Sequence, residues 1–239
     1  MPRCFCSQLK GAECVTLNEG ESHHLVSVLR ASRGTEVELI DGNGTVAKGY
    51  VKNPDKSAAQ IAVTASRTGM RKFHLSLIQA TLTNNNMDFA IREACAIGVS
   101  NICLAQGERS ESKIGGRLET KFLHWNKLLI EACKQSGNPF LPKLSFVENI
   151  KKLEIGENVS KFFGHIGAER YFIRELISIG KPCDIAIAIG PEGDFSEEEK
   201  DFLFGKNFIG CKLSDTVLRS ETAAIYALSV ANNYVNSLC

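Results

Sequence analysis

The chain has 239 residues, 44% of them apolar, with 28 Lys/Arg against 27 Asp/Glu for a net charge of +1. That size suits a small domain plus a medium one, or one large domain, of ordinary globular composition. No run approaches about 18 uninterrupted apolar residues and the opening Met1-Pro2-Arg3-Cys4-Phe5-Cys6-Ser7 has no apolar core of a leader, so a cytoplasmic protein is predicted.

Divided by position, the charge is less even. Residues 1–152 carry 20 Lys/Arg and 14 Asp/Glu, an excess of +6, whereas residues 153–239 carry 8 and 13, an excess of −5. A basic front half suits a phosphate backbone, and RNA is the partner it suggests. Nine cysteines are scattered without a CxxC pair, the pattern of buried thiols in a reducing compartment. Cys4, Cys6 and Cys14 lie near His23 and His24, but the spacing fits no standard zinc pattern, so no metal is expected.

Residues 1–70 hold short alternating segments, such as Glu36-Val37-Glu38-Leu39-Ile40 and Ala59-Gln60-Ile61-Ala62-Val63, broken by Asp41-Gly42-Asn43-Gly44 and Asn53-Pro54-Asp55. These are hairpin signals and predict a small β-barrel, with His23 and His24 available to cap a following helix. Residues 66–72 form a polar, basic connector. From residue 74 the period changes: strands at 74–80, 101–104, 161–165, 183–189 and 208–213 alternate with helices at 86–96, 119–136, 196–207 and 219–235. That alternation predicts a second, α/β domain over 74–239 with a parallel sheet.

The last quarter is the most informative. The apolar run 183–189 ends at Gly190-Pro191-Glu192-Gly193, a composition that permits a sharp turn and close approach of backbone amides to a ligand. Ser196 with Glu199 three residues on is a capping box opening the next helix. A second strand, loop and helix follow at once, with Ser214 to Leu218 as the loop and Ala223, Ala224, Ala227, Leu228 and Ala231 on one thin side of the helix. Neither loop carries GxxxxGK[ST] or GxGxxG, so pattern alone gives ligand loops at the C-terminal edge of a parallel sheet.

Ile189-Gly190-Pro191-Glu192-Gly193 and Leu218-Arg219-Ser220-Glu221-Thr222-Ala223 resemble the paired loops of the ribosomal small-subunit (16S) uridine-N3 methyltransferases, RsmE type, of the SPOUT superfamily. Further matches are Met1-Pro2-Arg3, Phe5, His23-His24-Leu25, Val28-Leu29-Arg30, Asp41-Gly42, Ile97-Gly98-Val99, Glu108-Arg109-Ser110 and Glu131-Ala132-Cys133-Lys134-Gln135-Ser136-Gly137. Departures are Asp194 where the family has a second glycine, Ser220 for threonine, no lysine at Asn85 or Asn86, and Glu93 and Ala96 in place of a Lys…Glu pair.

The resemblance implies a PUA-like amino-terminal β-barrel and a SPOUT-like α/β domain with a trefoil knot. It implies S-adenosylmethionine as cofactor, held near His165, Ile189, Gly190, Pro191, Glu192, Gly193, Leu213, Ser214, Val217 and Leu218. It also implies methylation of uridine N3 in small-subunit ribosomal RNA, free or in the assembled subunit, by a homodimer paired through the last helix, by way of its alanine side, and the neighbouring loops. A related methyltransferase with another RNA target, or a catalytically silent RNA-binding protein, is the alternative. Because the N3 proton must leave, Arg219 and Glu221 are the candidate catalytic residues, Arg219 to stabilise the developing charge and Glu221 or Glu192 as the acid-base partner, with no single general base singled out. Arg3, Arg30 and Arg109 are the candidate RNA contacts, since arginine matches phosphate and stacks on unpaired bases.

Overall fold

The computed structural model describes residues 1–239, the side chain of Asn84 excepted. It comprises two units, Met1–Arg71 with Ile130–Leu141, and Lys72–Leu129 with Pro142–Cys239.

The first unit is built on strands β1 (Arg3–Phe5), β2 (Cys14–Thr16), β3 (Glu36–Ile40), β4 (Thr45–Asn53) and β5 (Gln60–Thr68), with a short helix α1 (Glu19–His23). The sheet order is β1-β3-β4-β5-β2, a curled half-barrel with β1 and β2 at its edges, where the sequence suggests a barrel. Side chains alternate across the strands, so Val37 and Leu39 of β3 and Ala47 and Val51 of β4 share one core with Cys4, Leu9, Leu25 and Ile61. Burial, with the Glu21 carboxylate nearby, pushes the Cys4 thiol up to about 12. Asn18, not a histidine, caps α1, accepting from the Glu21 amide at 2.9 Å. His23 is the last residue of that helix and His24 opens a π-helical turn to Val28, on which His23 makes no side-chain cap.

One buried ionic group anchors this unit. Lys134 bonds Glu21 and Glu131, each at 2.9 Å, while the other Glu21 oxygen accepts from the Phe5 amide at 3.1 Å. Burial opposes the charge on Lys134, but the bonds to Glu131 and Glu21 outweigh it and hold its pKa above the ordinary lysine value. Arg3 bonds Glu38 and donates to the Lys134 carbonyl.

The second unit holds β6 (Leu75–Ala80), α2 (Asn84–Ile97), β7 (Asn101–Ala105), α3 (Leu118–Ser136, its end counted with the first unit), β8 (Lys143–Val147) and β9 (Val159–Gly164). It continues through α4 (Phe172–Ile179), β10 (Asp184–Ile189), α5 (Glu197–Gly205), β11 (Ile209–Cys211) and α6 (Ser220–Ser237). All six strands run parallel in the order β11-β9-β10-β6-β7-β8. Central β10 is buried from Ile185 to Ile189. Its Ala186 and Ala188 enter a cluster with Phe163, Phe195, Leu203 and Phe208, and its isoleucines take the opposite face.

Helix α6 packs on β6, β10, α2 and α4. Ala223, Ala224, Ala227, Leu228 and Ala231 are all buried there, so the thin side serves packing inside the subunit and is not the exposed surface expected for a dimer.

Candidate functional site

Parallel strands direct the loops after β9, β10 and β11 to one edge of the sheet, where ligands of α/β proteins bind. Between these loops lies a cavity of about 770 Å³, within the range of small-molecule sites. Its lining comes from 164–166, 189–194 and 212–221, with Ala223 and Asn86. All the residues expected at the cofactor, His165, Ile189, Gly190, Pro191, Glu192, Gly193, Leu213, Ser214, Val217 and Leu218, line it, as do Arg219 and Glu221.

The loop after β10 is a turn in which the Asp194 amide donates to the Pro191 carbonyl at 3.0 Å. Its left-handed residue is Asp194, at φ 59°, neither glycine. Aspartate tolerates that region because its side chain bonds locally, here accepting from the Phe195 amide at 2.8 Å. Gly190 is needed for space instead: a Cβ there would stand 3.0 Å from the Phe195 nitrogen. Three ties fix the loop from outside. Ser220 Oγ donates to the Gly190 carbonyl and accepts from Gln79 Nε2 at 2.9 Å. Lys200 bonds Asp194 at 3.2 Å, and Arg109 donates to the Gly193 carbonyl at 3.3 Å. The predicted capping box of α5 is present, with Glu199 accepting from the Ser196 amide at 2.8 Å and also from the Glu108 amide at 2.9 Å.

The loop after β11 starts two residues earlier than the sequence suggests. The β-structure ends at Cys211, apart from an isolated bridge of Lys212 to Tyr171, so Leu213 is a loop residue. Arg219 takes an extended conformation just before α6, is exposed, and has no hydrogen bond or ion pair among the described residues. Glu221, in the first turn of α6, is 8% exposed, and its Oε2 has no hydrogen-bond partner among the described residues. His165 stacks on Phe163 at 5.7 Å, and its buried Nδ1 also lacks a partner. An unpaired buried polar atom costs free energy, so two of them at one cavity mark a place where a ligand completes the bonding.

None of the three arginines read as RNA contacts is among the residues that line the cavity. Arg3 is engaged with Glu38 and the Lys134 carbonyl, and Arg109 with the loop carbonyls of Gly193 and Phe195. Arg30 is exposed, at φ 56°, after the π turn and the exposed Val28 and Leu29. Sequence reasoning missed Asn86, Gly164, Asp194, Lys212, Ser220 and Ala223 of the cavity. Only the missing family lysine near Asn85 and Asn86 hinted that α2 reaches it.

This geometry can be set beside known proteins. An RNA methyltransferase domain matches residues 70–232 and an RNA methyltransferase PUA domain matches residues 17–64, which places the chain among the RNA methyltransferases. Ribosomal RNA small subunit methyltransferase E 2 of Borreliella burgdorferi is 30% identical over 221 residues, spanning 87% of this chain and 86% of that protein. The chain belongs to this family, the ribosomal RNA small subunit methyltransferases E.

Among solved structures, a Legionella pneumophila protein described as a methyltransferase in complex with the bound cofactor S-adenosylmethionine is 26% identical. The match covers 97% of this chain and 96% of that one at a TM-score of 0.86. A Neisseria gonorrhoeae ribosomal RNA small subunit methyltransferase E, 24% identical and covering 98% and 97%, shares the fold at a TM-score of 0.87.

Proposed function

We propose that the protein transfers the methyl group of S-adenosylmethionine to N3 of a uridine in small-subunit ribosomal RNA. The observation that carries this reading is the Glu221 carboxylate, buried with a free Oε2 at the cavity wall beside the unpaired Arg219. The cavity suits the cofactor: Ile189, Leu213, Val217 and Leu218 supply apolar walls, and the backbone of 190–193 and 213–218 supplies polar edges. When bound, S-adenosylmethionine provides an electrophilic methyl on a sulfonium sulfur.

The chain's own residues do the rest. His165 and the two loops would hold the cofactor. Glu221 takes up the uracil N3 proton, and Arg219 stabilises the negative charge that develops on the uracil ring as that proton leaves. No metal enters this scheme. Arg30 contacts RNA phosphate or an unpaired base.

The protein acts in the cytoplasm as a homodimer. Since the alanine side of α6 is buried, the pairing surface is the exposed Ile173 and Ile177 of α4 with Tyr226 of α6. Mass spectrometry of nucleosides from small-subunit RNA tests the whole reading. 3-Methyluridine present with the protein and absent without it is the expected result; no difference removes the assignment.

A further inference from the structure

The two loops that wall the cavity are fixed in different ways. The loop after β10 is held by Ser220, Arg109 and Lys200, and Pro191 within it is buried. From 213 to 218 the second loop is tied to the rest of the chain by hydrogen bonds or ion pairs, among the described residues, only through Asp215. The bond between Ser214 and Thr216 is internal to the loop.

Asp215 accepts from the Tyr171 hydroxyl and from Lys212 Nζ at 2.9 Å, and the Lys212 ammonium sits 5.2 Å from the centre of the Tyr171 ring. Tyr171 is itself fixed. Its backbone bridges Lys212, the Lys212 amide donates to the Arg170 carbonyl at 2.8 Å, and the next residue, Phe172, is buried. The Tyr171 hydroxyl and Lys212 therefore clasp the exposed Asp215 from a rigid base, and the loop carries Leu213, Val217 and Leu218 into the cavity wall.

We propose that Tyr171 and Asp215 are positioning residues for the methyl donor. The clasp holds the 213–218 wall closed on the cofactor, and neither residue takes part in the chemistry. This rests on the reading of the cavity as the S-adenosylmethionine site. Loss of the clasp frees the wall, so binding must re-order it and affinity falls, while the catalytic step with a fully bound cofactor is untouched.

The test is calorimetric binding of S-adenosylmethionine and steady-state methylation of small-subunit RNA with the full chain. Tyr171→Phe and Asp215→Ala are expected to raise the Kd and KM for the cofactor about three- to tenfold, the scale of one net hydrogen bond. The kcat should stay within about twofold. Asp215→Asn, which keeps an oxygen for the Tyr171 hydroxyl, should recover most of the affinity.

The double variant Tyr171→Phe/Asp215→Ala should bind no worse than Asp215→Ala alone, because the bond that Tyr171→Phe removes is already absent in Asp215→Ala. Affinity indifferent to both substitutions, additive losses in the double variant, or a fall in kcat at unchanged affinity each overturns the positioning role. A parent protein that binds no S-adenosylmethionine overturns the reading of the cavity itself, and the two failures are thereby told apart.

Discussion

Arg219 sits at φ −62° and ψ 151° immediately before α6 and makes no side-chain cap. A cation at a helix N-terminus gains nothing from the dipole, and an unpaired one stabilises the fold little, so its presence beside Glu221 calls for a ligand. Arg219→Ala is accordingly expected to leave the urea midpoint unchanged and S-adenosylmethionine affinity within about threefold. It should lower kcat by about 10²–10³, the scale of a lost donor to developing negative charge. Methylation at the parental rate would return Arg219 to the status of a helix terminus. Lys134 is the opposite kind of residue. It is 8% exposed and paired with Glu21, so Lys134→Ala strands a buried carboxylate and should cost about 3–5 kcal/mol in urea unfolding. Because its folded pKa lies above the ordinary 10.5, this contribution is complete below about pH 10.5 and is lost as pH rises through the higher folded value. The stability gap between parent and variant should thus be flat from pH 7 to 10 and narrow above that; a gap that narrows on acidification between pH 9 and 7 would contradict the assignment.

Helix α6 shows how an element's composition was readable while its use was not. The alanines at 223, 224, 227 and 231 were visible in the sequence, and thin sides do allow close approach. The approach is to β6, β10, α2 and α4 of the same chain. Ala227→Leu should therefore cost about 1–3 kcal/mol by overpacking, measured by urea unfolding. An unchanged midpoint would mean that this side is not packed as described. Other elements divide on physical grounds. Strand β10 and the capping box of α5 were legible because long apolar runs and local side-chain caps are written in neighbouring residues. Edge strand β8 was not, since its half-exposed Lys143-Leu144-Ser145-Phe146-Val147 lacks a buried run, nor was the eight-residue α4, which has no side-chain cap. Strands β1 and β2, three residues each, are too short for a period to register, and β1 is set by parallel pairing with the distant β3. At the site, the two loops were found from their glycines and strand ends. The clasp of Tyr171 on Asp215 joins residues 44 apart and leaves no local trace.

Over the whole molecule, the excess of +6 in residues 1–152 and of −5 in residues 153–239 separates the work into two kinds of electrostatics. Under the proposed function, phosphates are to be met by cations that need no fixed geometry, and one uracil by a few groups that do. The first kind is screened by salt and the second, set in a cavity, much less so. RNA affinity should therefore fall steeply with ionic strength while S-adenosylmethionine affinity stays nearly flat. Arg30 is the sharpest probe of the first kind: of the three arginines read as RNA contacts, Arg3 and Arg109 are engaged within their own units, and Arg30 alone is exposed without a partner among the described residues. Arg30→Ala should weaken binding of small-subunit RNA and flatten the plot of log affinity against log salt by about 0.7–0.9, the release of one condensed counterion. It should leave S-adenosylmethionine binding and the urea midpoint as they are, because Arg30 is exposed and has no hydrogen bond or ion pair among the described residues. An unchanged salt slope with weakened affinity would mean that Arg30 stacks on a base and does not neutralise a phosphate; unchanged slope and affinity together would remove it from the RNA surface.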